Sequence, residues 1–278
     1  MAFQPVIPLS GNGGWNFLQS TYDRQLQNYA NAPQVKLDRA YFTEKFSEPV
    51  STEAFLNDKR LLRVALTSFG LGGEEWKRGY IDKILTEASD PESTFLARLN
   101  NAQYKAFAAA FTPVNGKITI SPEALDSITQ AFNKEAFQSA VGDIDDDMRL
   151  ALNYQDDISG LVGNGSSETA ILYRILGNVP VRTVLESALN LPSDLRKLDI
   201  DQQAGIVKEA LSRRLGINDV QDLKSEEKIG AVLQRFHAMQ SVASNAASFS
   251  PASNALTLLN GGAGLGGQGG INLLLSGL

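Results

Sequence analysis

Apolar residues recur along most of this chain at spacings of three and four, the period of one face of an α-helix. Over 15–30, Phe17, Leu18, Tyr22, Leu26 and Tyr29 keep that spacing, and Ala32-Pro33 stops it. A second helix is predicted over 34–46, with Val35, Leu37, Tyr41, Phe42 and Phe46 inward, and Pro49 breaks it. Ser51 is placed to cap a short helix carrying Phe55 and Leu56. Asp58 can cap the next, whose Leu61, Leu62, Ala65, Leu66 and Phe69 form one stripe. Gly70 ends that helix, because glycine enters the left-handed C-terminal conformation at little cost. A helix over 73–88 follows, with Trp76, Tyr80, Ile81, Ile84 and Leu85 inward. Asp90-Pro91-Glu92 then offers a cap, a proline at the first helical position and an acid in the first turn. The helices it opens carry Phe95, Leu96 and Leu99, then Tyr104, Phe107 and Phe111.

Residues 112–120 interrupt the period, and Ile118 and Ile120 alternate with polar neighbours, which admits a short strand without implying a sheet. Ser121-Pro122-Glu123 restarts a helix reaching about 141, and the acids Asp145 to Asp147 open another reaching about 161. Gly163-Asn164-Gly165-Ser166 reads as an internal linker, with helices resuming at about 167. Beyond it the earlier pattern returns. Leu66 and Leu71 match Leu185 and Leu191, with the acids Glu74 and Asp194 after a small turn. Ile81, Ile84 and Leu85 match Val207, Ala210 and Leu211, while Tyr104, Ala106 and Phe111 match Ile229, Ala231 and Phe236. A divergent helical duplication is the reading, against two unrelated helix runs of similar period. From 244 the composition turns to Ser, Ala, Asn and Gly, and 260–270 is nearly all glycine. A flexible tail ending in the apolar stub 271–275 is expected. The prediction is an all-α, multi-helix, bundle-like fold: a flexible N-terminal arm (1–14), a first helical half (15–162), a second, divergent half (163–243) and a Gly-rich tail (244–278).

Apolar residues at 43% and charged residues at 20% suit a chain that buries a real core. The 25 basic and 31 acidic residues leave a net charge of -6, a field that repels phosphate backbones, so no nucleic-acid partner is expected. Lys77-Arg78 and Arg213-Arg214 read as solvated helix faces. The absence of cysteine removes disulfides, thiol nucleophiles and cysteine metal sites, and leaves the compartment open. The opening MAFQPVIPLSGNGGW lacks the basic start and apolar core of a cleaved secretory signal. The longest apolar run, 106–111, is far below the roughly 20 residues that span a bilayer, so no transmembrane segment is expected.

Candidate chemistry fails on context. His237, the only histidine, cannot build a histidine metal cluster, and its place near the end of the last long helix suits a solvated or dipole-facing residue. Gly262 to Gly267 matches G-x-G-x-x-G, but no helix follows to present N–H groups to a pyrophosphate. Gly11-Asn12-Gly13-Gly14 lacks the lysine of a P-loop. Asp143, Asp145 and Asp147 have calcium-loop spacing, yet Met148 and Tyr154 stand where that loop needs a glycine and a glutamate. Ser225-Glu226-Glu227-Lys228 is an S-x-x-K without its companion motifs and reads as a helix cap. No carboxylate pair stands out as acid and base. The expectation is no catalytic, cofactor-binding or metal residue, and no cofactor.

The segment Phe55-Leu56-Asn57-Asp58-Lys59-Arg60-Leu61-Leu62-Arg63-Val64-Ala65-Leu66, with Phe69-Gly70-Leu71 behind it, resembles the signature of a bacterial family known as domain of unknown function 1217. Tyr80 to Leu85, Asp90-Pro91, Ala97-Arg98-Leu99, Tyr104 to Phe107, Phe3 to Gly11 with Gly14-Trp15, and Met148 to Asn153 fit the same resemblance. It implies an all-helical fold, an alphaproteobacterial origin and genes often lying among flagellar genes. The chain departs from axial flagellar subunits in ending on a glycine-rich tail instead of apolar heptads. The resulting expectation is a non-enzymatic helical interaction protein of flagellar assembly or motility, with protein partners docking on the arm 3–9 or the stub 271–275. The alternative is an enzyme or small-ligand binder with a pocket between the two helical halves. Its expected location is the cytoplasm, or outside it by export with the flagellum without a cleaved signal.

Overall fold

The computed structural model describes residues 3–90, 92–99, 101–163 and 165–248. The chain divides into two compact units, Met1–Arg149 and Leu150–Leu278. Their boundary falls inside a continuous helix, not at the glycine linker near 163.

The first unit opens with α1 (Gly11–Ala30) and α2 (Pro33–Lys45). Next come a short strand β1 (Val50–Ser51), then α3 (Thr52–Asn57) and α4 (Lys59–Thr67). A 3₁₀ turn at Glu75–Lys77 leads into α5 (Arg78–Ala88), and α6 (Phe95–Arg98) and α7 (Ala102–Ala110) follow. Strand β2 (Lys117–Ile118) returns antiparallel to β1, pairing Val50 with Ile118 and Ser51 with Lys117. Helix α8 (Pro122–Gly142) completes the unit, and α9 (Asp146–Val162) crosses its boundary.

Local chemistry sets these ends. The Ser51 hydroxyl accepts from the Ala54 N–H, Asp58 Oδ1 from Arg60 and Leu61, and Ser121 from Ala124. Asp145 Oδ1 accepts from the N–H groups of Asp147 and Met148, which accounts for the acidic run as a helix start. Asp90, expected to open a helix, turns the chain back onto Glu92 instead, and α6 begins only at Phe95.

The core of the first unit is aromatic. Phe111 lies 5.0–6.4 Å, centroid to centroid, from the rings of Phe42, Phe46, Phe55, Phe69 and Phe107. One residue thereby joins α2, α3, the end of α4 and α7. On the far side, the Phe137 ring of α8 meets Tyr22 and Tyr29 of α1 edge-on.

The arm expected to be flexible is held over its described part. Val6 N–H donates to Gln25 Oε1 (2.7 Å) and Gln25 Nε2 donates to the Val6 carbonyl (3.1 Å). Helix α1 starts at Gly11, earlier than the apolar pattern suggests. A Cβ at Gly14 would lie 1.8 Å from the Leu9 carbonyl oxygen, so only glycine allows that approach. Three residues expected inside are out: Leu37 (59% exposed), Trp76 (78%) and Tyr80 (37%).

The second unit contains α10 (Glu168–Gly177), α11 (Val179–Ala188), a 3₁₀ turn at Ser193–Lys197, α12 (Ile200–Leu215), a 3₁₀ turn at Val220–Lys224 and α13 (Glu226–Ser248). This order repeats that of α3 to α7. Asn178 ends α10 and caps α11, as Asp58 ends α3 and caps α4, with nearly the same backbone angles (φ -92, ψ 106 against φ -87, ψ 97). The stops match as well: Leu71 N–H reaches the Leu66 carbonyl past Gly70 at φ 71, and Leu191 N–H reaches Glu186 past Asn190 at φ 45. These shared ends place Ala65 opposite Leu185 and Leu66 opposite Glu186, one residue from the pairing read in the sequence. Ile81, Ile84 and Leu85 and their matches Val207, Ala210 and Leu211 are all buried.

Residues 249–278, which hold the G-x-G-x-x-G match and the stub 271–275, lie outside the described residues, while α13 runs past the expected tail boundary at 244. Among the described residues no helix is long and apolar enough to cross a membrane.

Truncating Phe111 to alanine removes the ring that five others touch. Denaturant unfolding should show a loss of about 3–5 kcal/mol in the first unit; a loss below about 1 kcal/mol would mean the ring cluster contributes little.

Candidate functional site

Asp38 on α2 is buried (4% exposed) although it is a carboxylate. Burial of such a charge is costly unless it is paired and hydrogen-bonded, and here three donors meet it. Arg60 Nε reaches Oδ1 at 2.7 Å, Arg63 NH2 reaches Oδ2 at 2.8 Å, and Gln34 Nε2 donates to Oδ1 at 3.0 Å. The Arg60 guanidinium also lies over the Tyr41 ring, 4.6 Å from its centroid. The Tyr41 hydroxyl donates to Asp58 Oδ2 at 2.6 Å, while Asp58 Oδ1 caps α4. Burial works against ionisation of Asp58, but the Tyr41 hydroxyl and the N–H groups of Leu61 and Arg60 outweigh it and hold its carboxyl below the usual carboxylate range.

Gln34, Asp38 and Arg63 of this clamp line a cleft of about 850 Å³ inside the first unit. The floor is a stripe of α8, in which Phe132, Glu135, Ala136, Ser139 and Ala140 lead to Asp143. At 1.5 Å per residue that stripe is about 16 Å long. Phe3 of the arm, Tyr29 and the first turns of α2 close one side; Arg63, Thr67 and the Gly70–Glu75 segment close the other, and Arg149 reaches in from α9. The Tyr29 hydroxyl is pushed above its usual pKa by burial and by the nearby Asp143 carboxylate. The volume and mixed lining fall within the range of small-molecule sites.

A second cluster lies on the 3₁₀ turn. Tyr104 donates to Glu74, the Lys77 ammonium pairs with Glu74 at 2.8 Å and lies over the Trp76 ring, and Tyr80 meets Tyr104 edge-on at 5.2 Å. Burial, then the Glu74 carboxylate, raise the Tyr104 pKa.

The other residues singled out in the sequence fall elsewhere. His237 is fully buried in α13 beside Phe236, not solvated. Ser225 accepts from the Lys228 N–H as a cap. Arg214 donates to the carbonyls of Leu189 and Asn190, so it closes the end of α11 and is no mere solvated cation. Tyr154 is buried on α9 with its hydroxyl unpartnered among the described residues, and lines none of the cleft.

The family described as "Protein of unknown function (DUF1217)" matches residues 68–229. The chain belongs to this family. The matched span covers α5 to α12 and enters α13, and so takes in the floor of the cleft and part of its wall. A protein of Agrobacterium tumefaciens, known from its crystal structure, shares the family chain's fold at 22% identity and a TM-score of 0.65, over 86% of this chain and 98% of that one. No curated protein matches the sequence.

The depressed pKa of Asp58 means that its contribution is present above the ordinary carboxylate pKa and disappears as pH falls through the folded value. An Asp58→Ala variant should lose about 1 kcal/mol at pH 7. The gap to the native chain should close in acid, as followed by urea unfolding at stepped pH; a gap constant with pH would remove the carboxylate from the account.

Proposed function

We propose that the chain is a non-enzymatic docking protein of the flagellar or motility apparatus, and that Trp76 is the centre of its docking surface. The indole is 78% exposed, although tryptophan is among the most costly side chains to leave in water. Its turn is anchored beneath it by the Lys77–Glu74 pair and the Tyr104 hydrogen bond, so the ring is displayed by a fixed support. Tryptophan on a rigid support is a preferred anchor of protein interfaces. The resemblance to a family often encoded among flagellar genes supplies the setting. The arm 3–9, expected as a docking segment, is occupied against α1, which favours the 3₁₀ turn as the docking element.

The test is complementation of a deletion strain in the source bacterium. The deletion should impair swimming, the native chain should restore it, and Trp76→Ala should not. In pull-downs the same substitution should weaken partner capture more than about tenfold, the worth of one buried aromatic anchor. Normal swimming of the deletion strain, or full rescue by Trp76→Ala, would overturn this reading.

A further inference from the structure

We propose that the cleft of the first unit binds an apolar α-amino acid, its carboxylate on Arg149, its ammonium group at Asp143 and its side chain along the α8 floor. This goes beyond the docking reading and rests on different residues.

Gly142 gives the first observation. It sits in the last turn of α8, where alanine would serve the helix better by about 1 kcal/mol, and its φ is not positive, so no left-handed cap demands glycine. The absent side chain is explained by Arg149. A Cβ at Gly142 would lie 2.5 Å from Arg149 Cδ and 3.2 Å from its Cβ. The arginine stem therefore lies across bare backbone, directed to the cleft that Arg149 lines.

The second observation is which charges of the cleft are already engaged. Arg63 is held by Asp38, Glu75 accepts from the Gly73 N–H, and Glu135 is engaged in an interaction of its own. Arg149 and Asp143 make neither an ion pair nor a side-chain hydrogen bond among the described residues. They belong to the same end of the cleft, since the Arg149 stem crosses the residue preceding Asp143. A simple anion drawn to Arg149 would face Asp143, and a simple cation drawn to Asp143 would face Arg149. A ligand carrying both charged groups on one carbon satisfies both. The remaining lining, with Phe132 and Tyr29 as walls and Ala136 and Ala140 leaving room between them, accepts a large apolar side chain.

The experiment is isothermal titration of the full chain with L-phenylalanine, N-acetylphenylalanine, phenylalaninamide and decanoate. Phenylalanine should bind saturably, about tenfold or more tighter than either capped analogue, the effect of losing one charge-assisted contact. Arg149→Gln should weaken phenylalanine about tenfold and abolish its advantage over phenylalaninamide. Asp143→Asn should do the same relative to N-acetylphenylalanine. Gly142→Ala should also weaken binding while leaving helical content and the unfolding midpoint undiminished, which separates a displaced Arg149 from a misfolded chain. Trp76→Ala should bind phenylalanine as the native chain does, so this proposal and the docking reading fail separately. No saturable binding of phenylalanine at millimolar concentration, equal or tighter binding of decanoate, or an Arg149→Gln variant indistinguishable from the native chain would overturn the proposal.

Discussion

Asp38 carries its carboxylate into the crossing of α2 and α4, where little of it reaches water, and two arginines of α4 with one glutamine of α2 take the place of its hydration. A buried carboxylate of this kind is stable only while its donors hold their geometry. The pairing therefore fixes the rotation and height of α2 on α4 more sharply than apolar contact does. Both helices also pack on α8, so the same constraint sets the width of the space above the α8 stripe. Through Arg60 and Tyr41 it reaches Asp58, which starts α4. Helix pairing, helix initiation and the wall of the cleft thus share one chain of polar contacts.

The second unit solves the equivalent position differently. Where α4 buries Leu62 and Leu66, α11 carries Arg182 and Glu186, whose side chains are 15% and 13% exposed and pair at 2.6 Å. Arg196 adds a second contact to Glu186, and Gln203 accepts from Arg182. The adjoining face of each helix keeps its apolar register, Leu61, Val64 and Ala65 against Val181, Val184 and Leu185, all buried. The two helix runs thus share their caps, their stops and one buried face.

Features governed by near neighbours were legible in the sequence. Ser51, Asp58, Ser121 and Ser167 each accept an N–H two or three residues ahead, so residue type and spacing suffice to find them. Trp76 and Tyr80 were misplaced because the period assumed an α-helix from 73, whereas Glu75–Lys77 is a 3₁₀ turn that rotates the side chains differently. Gln25 and Asp38 could not be recognised as buried, since their partners lie 19, 22 and 25 residues away. The similarity of the two helix runs is legible as a common period, whereas the matching helix stops align Leu66 with Glu186, one residue from the pairing that the period gives. The cleft leaves little local trace, being assembled from the arm, α2, α4, α8 and α9. Gly142 was its nearest signal, a helical glycine without a turn to justify it.

Hydrogen–deuterium exchange on the full chain, native against Asp38→Asn, addresses the central constraint most directly. If Asp38 sets the pairing of α2 with α4, amides of those two helices should exchange faster in the variant while those of α5 and α7 keep their native rates. Unchanged exchange in α2 and α4, or a uniform acceleration across the first unit, would contradict the assignment of that role to the buried carboxylate.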